Sequence, residues 1–247
     1  YIKSETDQDV FDGFIEKRKS WKEYIDWADV IVFDDTGFGE IADKLRKKGK
    51  LVVGGSQYTD KLEEDREFGQ IEMEKLGMLV LPHWDFSNFD SAIKFLQGNP
   101  GRYVFKPNYT VGTGEDSHDL LFLGEEEDGK DVLEIIQSNS KFLESKIRSF
   151  QLQKFASGVE IAVGAFFNGQ DFIYPINVNF EHKRLFPGDI GPFTGDMGAL
   201  MYWSQPNQIF RETLEKFKNK LQESGYVGYF DVNCIANARG IYPLEVT

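Results

Sequence analysis

The chain has 247 residues, a formal charge of −13, and 40% hydrophobic against 28% charged residues. That length suits one large domain or two modest ones, and the composition is that of a globular protein with a sizeable core. The acidic balance excludes a general role in coating nucleic acid, which needs clustered Lys and Arg. No apolar run approaches the roughly 18 residues that a membrane-spanning helix requires. The first residues, Tyr1 to Asp7, carry no apolar stretch, so no signal peptide is expected. The single cysteine, Cys234, permits no intrachain disulfide, and a reducing, cytoplasmic setting is the natural expectation.

In chain order, residues 28–33 form a β-branched run that reads as a buried, parallel-type strand. Residues 37–48 place Phe38, Ile41, Ala42 and Leu45 at helical spacing and stop at Gly49. Residues 51–53 follow as a second strand, which completes a βαβ unit. A charged helix is expected near 61–76, then a short strand at 78–81. Residues 90–97 read as helix and 103–105 as a strand running into Lys106-Pro107. A polar, glycine-containing loop covers 108–117. Strands are expected at 120–123 and 150–155, with a helix near 130–138 between them. Residues 159–167 and 172–180 make a hairpin around Asn168-Gly169, a pair that favours tight turns. Residues 208–224 form an amphipathic helix with Phe210, Leu214, Phe217 and Leu221 on one stripe and Gly225 as its cap. Residues 227–236 and 241–246 are paired strands. The architecture is a small α/β piece to about residue 76, then an α+β body rich in antiparallel strands.

Four constellations carry potential chemistry. Lys106 leaves a strand beside Gly112-Thr113-Gly114, where backbone N–H groups and an ammonium can hold phosphate oxygens; the same residues fit a surface turn equally well. Gln153-Lys154-Phe155-Ala156 end a strand and expose backbone able to read a base edge. Glu160 follows and can accept from ribose hydroxyls, or simply be a charge at a strand start. Asp231 and Glu245 lie in apolar stretches of adjacent strands, where carboxylates suit a magnesium ion or face solvent. Residues 181–199 place His182, Lys183 and Arg184 before glycines at 188, 191, 195 and 198. That segment reads as an ordered loop rather than a long strand, either an anion site or a purely structural loop.

In this order the four elements resemble ATP-grasp enzymes, most closely the phosphoribosylamine–glycine ligase (glycinamide ribonucleotide synthetase) family. Glu181-His182-Lys183-Arg184 and Gly191-Pro192-Phe193-Thr194-Gly195-Asp196-Met197-Gly198 fill the family's Asp-His-Lys-Arg and Gly-Pro-Asn-Thr-Gly-Gly-Met-Gly segments. Residues 153–160 match its hinge, Tyr226-Val227-Gly228 its Tyr-x-Gly strand, and Leu244-Glu245-Val246-Thr247 its closing Ile-Glu-Phe-Asn.

The resemblance implies an ATP-grasp domain over 77–247, with a lid near 102–156, preceded by a partial α/β domain over 1–76. It implies ligation of a carboxylate to an amine through an acyl phosphate, with ATP and Mg2+ or Mn2+ as cofactors. The partners would be an amino acid such as glycine and an amine acceptor. Lys106 and the 112–114 loop would hold ATP phosphates, and residues 153–156 the adenine. Glu160 would hold the ribose, and Asp231, Glu245 and Thr247 the metal. Lys183 and Arg184 would be catalytic. With His182, Gly191, Pro192, Thr194, Gly195, Met197 and Gly198 they would also bind substrate.

Four departures stand out. Thr113 replaces a lysine of the family, and Thr247 replaces its asparagine. The family's N-terminal glycine-rich phosphoribosyl loop is not found within these 247 residues, and Asp34-Asp35-Thr36-Gly37-Phe38-Gly39-Glu40 replaces its Gly-Pro-Glu segment.

Overall fold

The computed structural model describes residues 13–14, 16, 18, 20–110, 120–188 and 190–246. Strand β1 (Val30–Val32) pairs in parallel with β2 (Leu51–Val53) across helix α1 (Gly39–Lys47), the expected βαβ unit. Ala42 and Leu45, three apart on α1, are buried against Val52. The strands themselves are not the buried pair expected. Val30, Val32 and Leu51 are exposed, because one helix covers only one face of the period-two alternation.

The charged stretch near 61–76 is two helices, α2 (Gln57–Glu64) and α3 (Arg66–Lys75). The break lies at Asp65, which leaves helical geometry; its side chain accepts from the Phe68 N–H at 3.0 Å and caps α3. Residues 78–81 form no ladder among the described residues. Met78 and Leu81 fill core space instead, and the next strand is β3 (His83–Phe86).

Two antiparallel sheets follow. The four-stranded sheet has the order β3-β6-β4-β5, with β4 (Tyr103–Thr110), β5 (Phe122–Leu123) and β6 (Ile147–Lys154). Helices α4 (Phe89–Gly98) and α5 (Lys130–Lys146) close a core around Phe89, Tyr103, Phe105, Ile136 and Phe150. The five-stranded sheet has the order β11-β10-β7-β8-β9, with β7 (Val159–Phe167), β8 (Ile176–Phe186), β9 (Ile190–Ser204), β10 (Gly228–Asn237) and β11 (Gly240–Val246).

One face of the five-stranded sheet packs on the 208–224 segment. Phe210, Leu214, Phe217 and Leu221 are all fully buried there, each side chain worth roughly 1.5–3 kcal/mol of apolar transfer. The stripe holds although the helix does not run through. It divides into α6 (Gln208–Glu212), a 3-10 turn at Leu214–Phe217 and α7 (Lys218–Ser224). Thr213 interrupts it at φ −128°, ψ −85°, with its hydroxyl donating to the Ile209 carbonyl at 2.6 Å.

The segment 181–199, expected as a loop, is instead most of a long β8–β9 hairpin whose pairing runs from Ile176–Ser204 to Phe186–Ile190. Its glycines serve the turn and an irregular ladder rather than a loop. Gly188 (φ +78°) lies between the strands, and Gly191 (φ +91°) sits where the register slips beside Arg184. An edge strand held by backbone pairing tolerates such side-chain-poor positions. The hinge loop 155–158 joins the two sheets, β6 on one side and β7 on the other.

Candidate functional site

A cavity of about 520 Å3 lies between the sheets at this hinge, a size suited to a nucleotide-sized ligand. Its apolar walls include Leu81, Val104, Leu121, Leu123, Ile235 and Leu244. The hinge contributes residues 153–156. The Lys154 N–H donates to the Pro82 carbonyl at 2.8 Å, and the Phe155 N–H to the Arg102 carbonyl at 3.0 Å. The Arg102 guanidinium lies 3.6 Å from the Phe155 ring centroid, which braces that ring. Gln153 is buried, and its side-chain NH2 has no partner among the described residues.

Three cations face the same cavity. Lys106, on β4 opposite Gln151, is only 7% exposed, and its pKa is pushed down to about 7. Burial is the main cause; the Arg66 and Lys183 charges add to it, and Glu245 and Glu160 oppose it. Arg66 is the first residue of α3, 4.0 Å from the Glu245 carboxylate, and its Nε has no partner among the described residues. Lys183 lies 2.7 Å from Glu160 and 3.5 Å from Glu181. Burial alone would lower its pKa, but the Glu160 hydrogen bond and the charges of Glu160, Glu245 and Glu181 more than offset that and raise it.

The carboxylate side has its own register. Asn233 of β10 sits directly opposite Glu245 of β11, and both line the cavity. Asp231 lies two residues along β10, opposite Gly164 of β7, and does not line the cavity. Its Oδ1 is buried with no partner among the described residues. Burial first, then Glu181, Glu245 and Glu63, push its pKa up to about 7. Glu63 of α2 is also raised to about 7, by burial and by Asp35, Asp60, Glu245 and Glu64. Oxygen donors of this kind fit a hard cation such as Mg2+. Among the described residues, however, no three His, Cys, Asp or Glu side chains gather closely enough to hold a metal alone. Any ion here would share its shell with substrate oxygens or water.

A hinged cavity between two antiparallel sheets, with cations facing carboxylates, is accompanied by a family match. The model of the phosphoribosylglycinamide synthetase ATP-grasp (A) domain covers residues 65–229. The chain belongs to this family. A phosphoribosylamine–glycine ligase from Streptococcus suis is 28% identical over 170 residues, which is 68% of this chain and 39% of that protein. One from Streptococcus pyogenes is 28% identical over 176 residues, 71% of this chain and 40% of the relative. The chain thus spans about two fifths of the length of these relatives. Among solved structures, the Thermotoga maritima phosphoribosylamine–glycine ligase aligns with TM-score 0.58 and 20% identity, covering 79% of this chain and 50% of that one. A Bacillus anthracis D-alanine–D-alanine ligase complexed with ATP aligns with TM-score 0.55 and 16% identity, covering 94% and 73%. The fold is ATP-grasp, of mixed α+β class. No helix among the described residues is long and apolar enough to cross a membrane.

Within this ATP-grasp domain the cavity brings together Lys106, Gln153, Lys154, Phe155, Ala156, Glu160, Lys183, Thr194 and Glu245 of the residues singled out from the sequence. Thr194 donates its hydroxyl to the Lys183 carbonyl at 2.9 Å, which ties β9 to that lysine. His182 and Arg184 are engaged inside the hairpin: a His182 ring nitrogen lies 3.1 Å from the Phe186 carbonyl, and Arg184 donates to the Gly191 carbonyl at 2.7 Å. Neither lines the cavity, nor do Gly191, Pro192, Met197 or Gly198 of β9. Gly112, Thr113, Gly114 and Thr247 lie outside the described residues. Arg66 and Asn233 were not legible in the sequence. Arg66 sat in what read as one charged helix, and only the capping residue Asp65 marked it as a helix start. Asn233 carries no charge and drew no attention beside Asp231.

Proposed function

We propose that the chain carries out ATP-dependent joining of a carboxylate to an amine through an acyl phosphate, a reaction of the phosphoribosylamine–glycine ligase type. The observation that carries this reading is the convergence of Arg66, Lys106 and Lys183 with Glu245 in one hinged cavity. In the first step a carboxylate oxygen bonds to the γ-phosphorus and ADP leaves. In the second the amine nitrogen bonds to the acyl carbon, the C–O bond to phosphate breaks, and the amine proton passes to solvent.

Backbone of the hinge, with Gln153, Lys154, Phe155 and Ala156, reads adenine against the apolar walls, and Glu160 holds the ribose. Lys106 and Arg66 hold phosphate oxygens, a role in which Gly112, Thr113 and Gly114 would share. Lys183 neutralises charge on the transferring group, where fixed electrostatic partners are most effective. Glu245, Asn233, Asp231 and Thr247 would hold Mg2+ or Mn2+, which offsets phosphate charge when bound. Arg184 and His182 keep the hairpin in shape, and Thr194 of β9 is the contact that it offers to the incoming substrates in the cavity.

A second reading, an acceptor other than phosphoribosylamine, is favoured by one observation. Glu63, with Asp35, Asp60 and Glu64 around it, makes the β1–α2 side of the site acidic, which disfavours a phosphate-bearing acceptor. Purified chain with ATP, Mg2+, glycine and phosphoribosylamine tests both. ADP and amide formation supports the first reading, and turnover with other amines only supports the second. Tight ATP binding with no phosphate release from any amine overturns the ligase reading.

A further inference from the structure

The cavity-facing side of the five-stranded sheet does not end at the cavity. One row of paired residues runs Asn233, Ala162, Asn179, Met201, and the next runs Asp231, Gly164, Asn177, Trp203. Directly paired residues share a face, so these side chains lie on the side that carries Glu160 and Glu245. The opposite side is filled by Ile161, Val163, Ala165, Ile176 and Val178. In the middle strand the rows have only Gly164 and Ala162, and the Tyr229 phenol of β10 reaches over Gly164, so the shallow floor beside β8 lies over Ala162 and is bounded by that ring. Gly164 is required there, since an added Cβ would collide with the Tyr229 hydroxyl.

Two asparagines stand over this floor in an unusual state. Asn177 is 4% exposed and Asn179 8%, yet neither Oδ1 has a hydrogen-bond partner among the described residues. The Asn177 amide NH2 donates to the Met201 sulfur at 3.8 Å, a weak contact. Buried amide oxygens are normally paired, because leaving them dry forfeits their solvation. The rows therefore present acceptors that need donors. Their cover is Met201, a flexible side chain that is 59% exposed and free to swing aside. Beyond it Trp203 and Phe166 are 60% and 49% exposed, an apolar rim at the far end of the rows.

We propose that Asn177 and Asn179 form the subsite for the acceptor of the ligation, and that this acceptor is a primary amine carried on an apolar or aromatic body. The amine N–H groups satisfy the two amide oxygens, Met201 moves to admit it, and Trp203 and Phe166 cover the apolar part. The rows hold no Lys or Arg to pair with the phosphate of an anionic sugar phosphate. This rests on the ligase reading above in its second form, an acceptor other than phosphoribosylamine, and it names the class of that acceptor.

The test uses the whole chain and titration calorimetry in two stages. MgATP is titrated first; absence of binding defeats the ligase reading itself and with it this subsite. Phenethylamine is then titrated into the MgATP-loaded protein, beside N,N-dimethylphenethylamine and ribose 5-phosphate. Phenethylamine is expected to bind at least tenfold tighter than either comparison ligand. Asn177→Leu and Asn179→Leu, made separately so that one can report if the other misfolds, are expected to weaken phenethylamine at least tenfold. Their melting temperatures should be equal to or above the parent's, since each removes an unsatisfied buried oxygen. MgATP binding without phenethylamine binding, or equal phenethylamine affinity in parent and folded variants, overturns the proposal; so does preferential binding of ribose 5-phosphate.

Discussion

Lys183 and Glu160 form a 2.7 Å ion pair across β8 and β7, so the cation assigned to the transferring group and the carboxylate assigned to the ribose hold each other in place. Glu160 cannot serve both without compromise, and ATP would draw Lys183 part-way off it. Lys183→Ala should lower phosphate release by about 10²–10³-fold, the scale for removing one preorganised charge partner. Glu160→Gln should weaken nucleotide binding and also lower turnover, because it loosens Lys183. Steady-state kinetics on both variants check this. A Glu160→Gln effect confined to KM would show that the pair is incidental.

Lys106 gives the site a pH dependence. Its pKa of about 7 lies well below the ordinary 10.5, because burial and the Arg66 charge disfavour the ammonium. Polyphosphate reverses that balance, so ATP binding should take up a proton near pH 7.5, and ATP affinity should fall as pH rises above about 7. For the free protein the sign is opposite. Between pH 7 and 10.5 the unfolded chain binds more protons at this residue than the folded one, so this group makes stability rise with pH across that window. Calorimetry in two buffers of different ionisation enthalpy measures the proton uptake. Lys106→Met should abolish the uptake, weaken ATP binding and flatten the pH dependence of the melting temperature over the same window.

Arg66 is held by geometry that lysine cannot copy. It is buried at the start of α3, 4.0 Å from Glu245, and offers a planar fork toward the cavity. Arg66→Met should weaken ATP binding by tenfold or more and lower stability, because it removes one of the cations that, with Lys106 and Lys183, face the Glu245 carboxylate. Arg66→Lys should recover most of the stability but only part of the nucleotide affinity. Equal ATP affinity in all three proteins, measured by titration, would remove Arg66 from the phosphate site.

Legibility followed the physics of each signal. Strand β7 could be read to its ends, because 159–167 is rich in Val, Ile and Phe and stops at Asn168-Gly169. The core stripe Phe210, Leu214, Phe217 and Leu221 was visible because periodicity survives a local break in the helix. The β8–β9 hairpin was hidden because glycine removes the alternation that marks a strand, while the pairing that builds it is long-range. Cavity membership failed for a related reason. Residues 182 and 184 share a basic run with Lys183, yet period-two geometry turns only Lys183 toward the cavity. Registry between strands is not written in either strand alone, so Asn233 opposite Glu245 required the fold.

That last pairing leads to the metal. Glu245 faces a neutral amide at Asn233, with Asp231 displaced by two residues, so the cavity itself offers less negative charge at this point than two facing carboxylates would. Affinity for a hard divalent cation rises with the number of charged oxygen ligands. Asn233→Asp should therefore lower the Mg2+ concentration for half-maximal phosphate release by about tenfold, roughly 1.4 kcal/mol. Glu245→Gln should raise it by at least as much, and chelation by EDTA should stop phosphate release in the parent, with recovery on adding Mg2+ or Mn2+. Titrating Mg2+ at fixed ATP reads all three. If Asp231→Asn shifts the Mg2+ requirement strongly while Asn233→Asp leaves it untouched, the ion sits one row farther along β10, and the assignment of Asn233 falls.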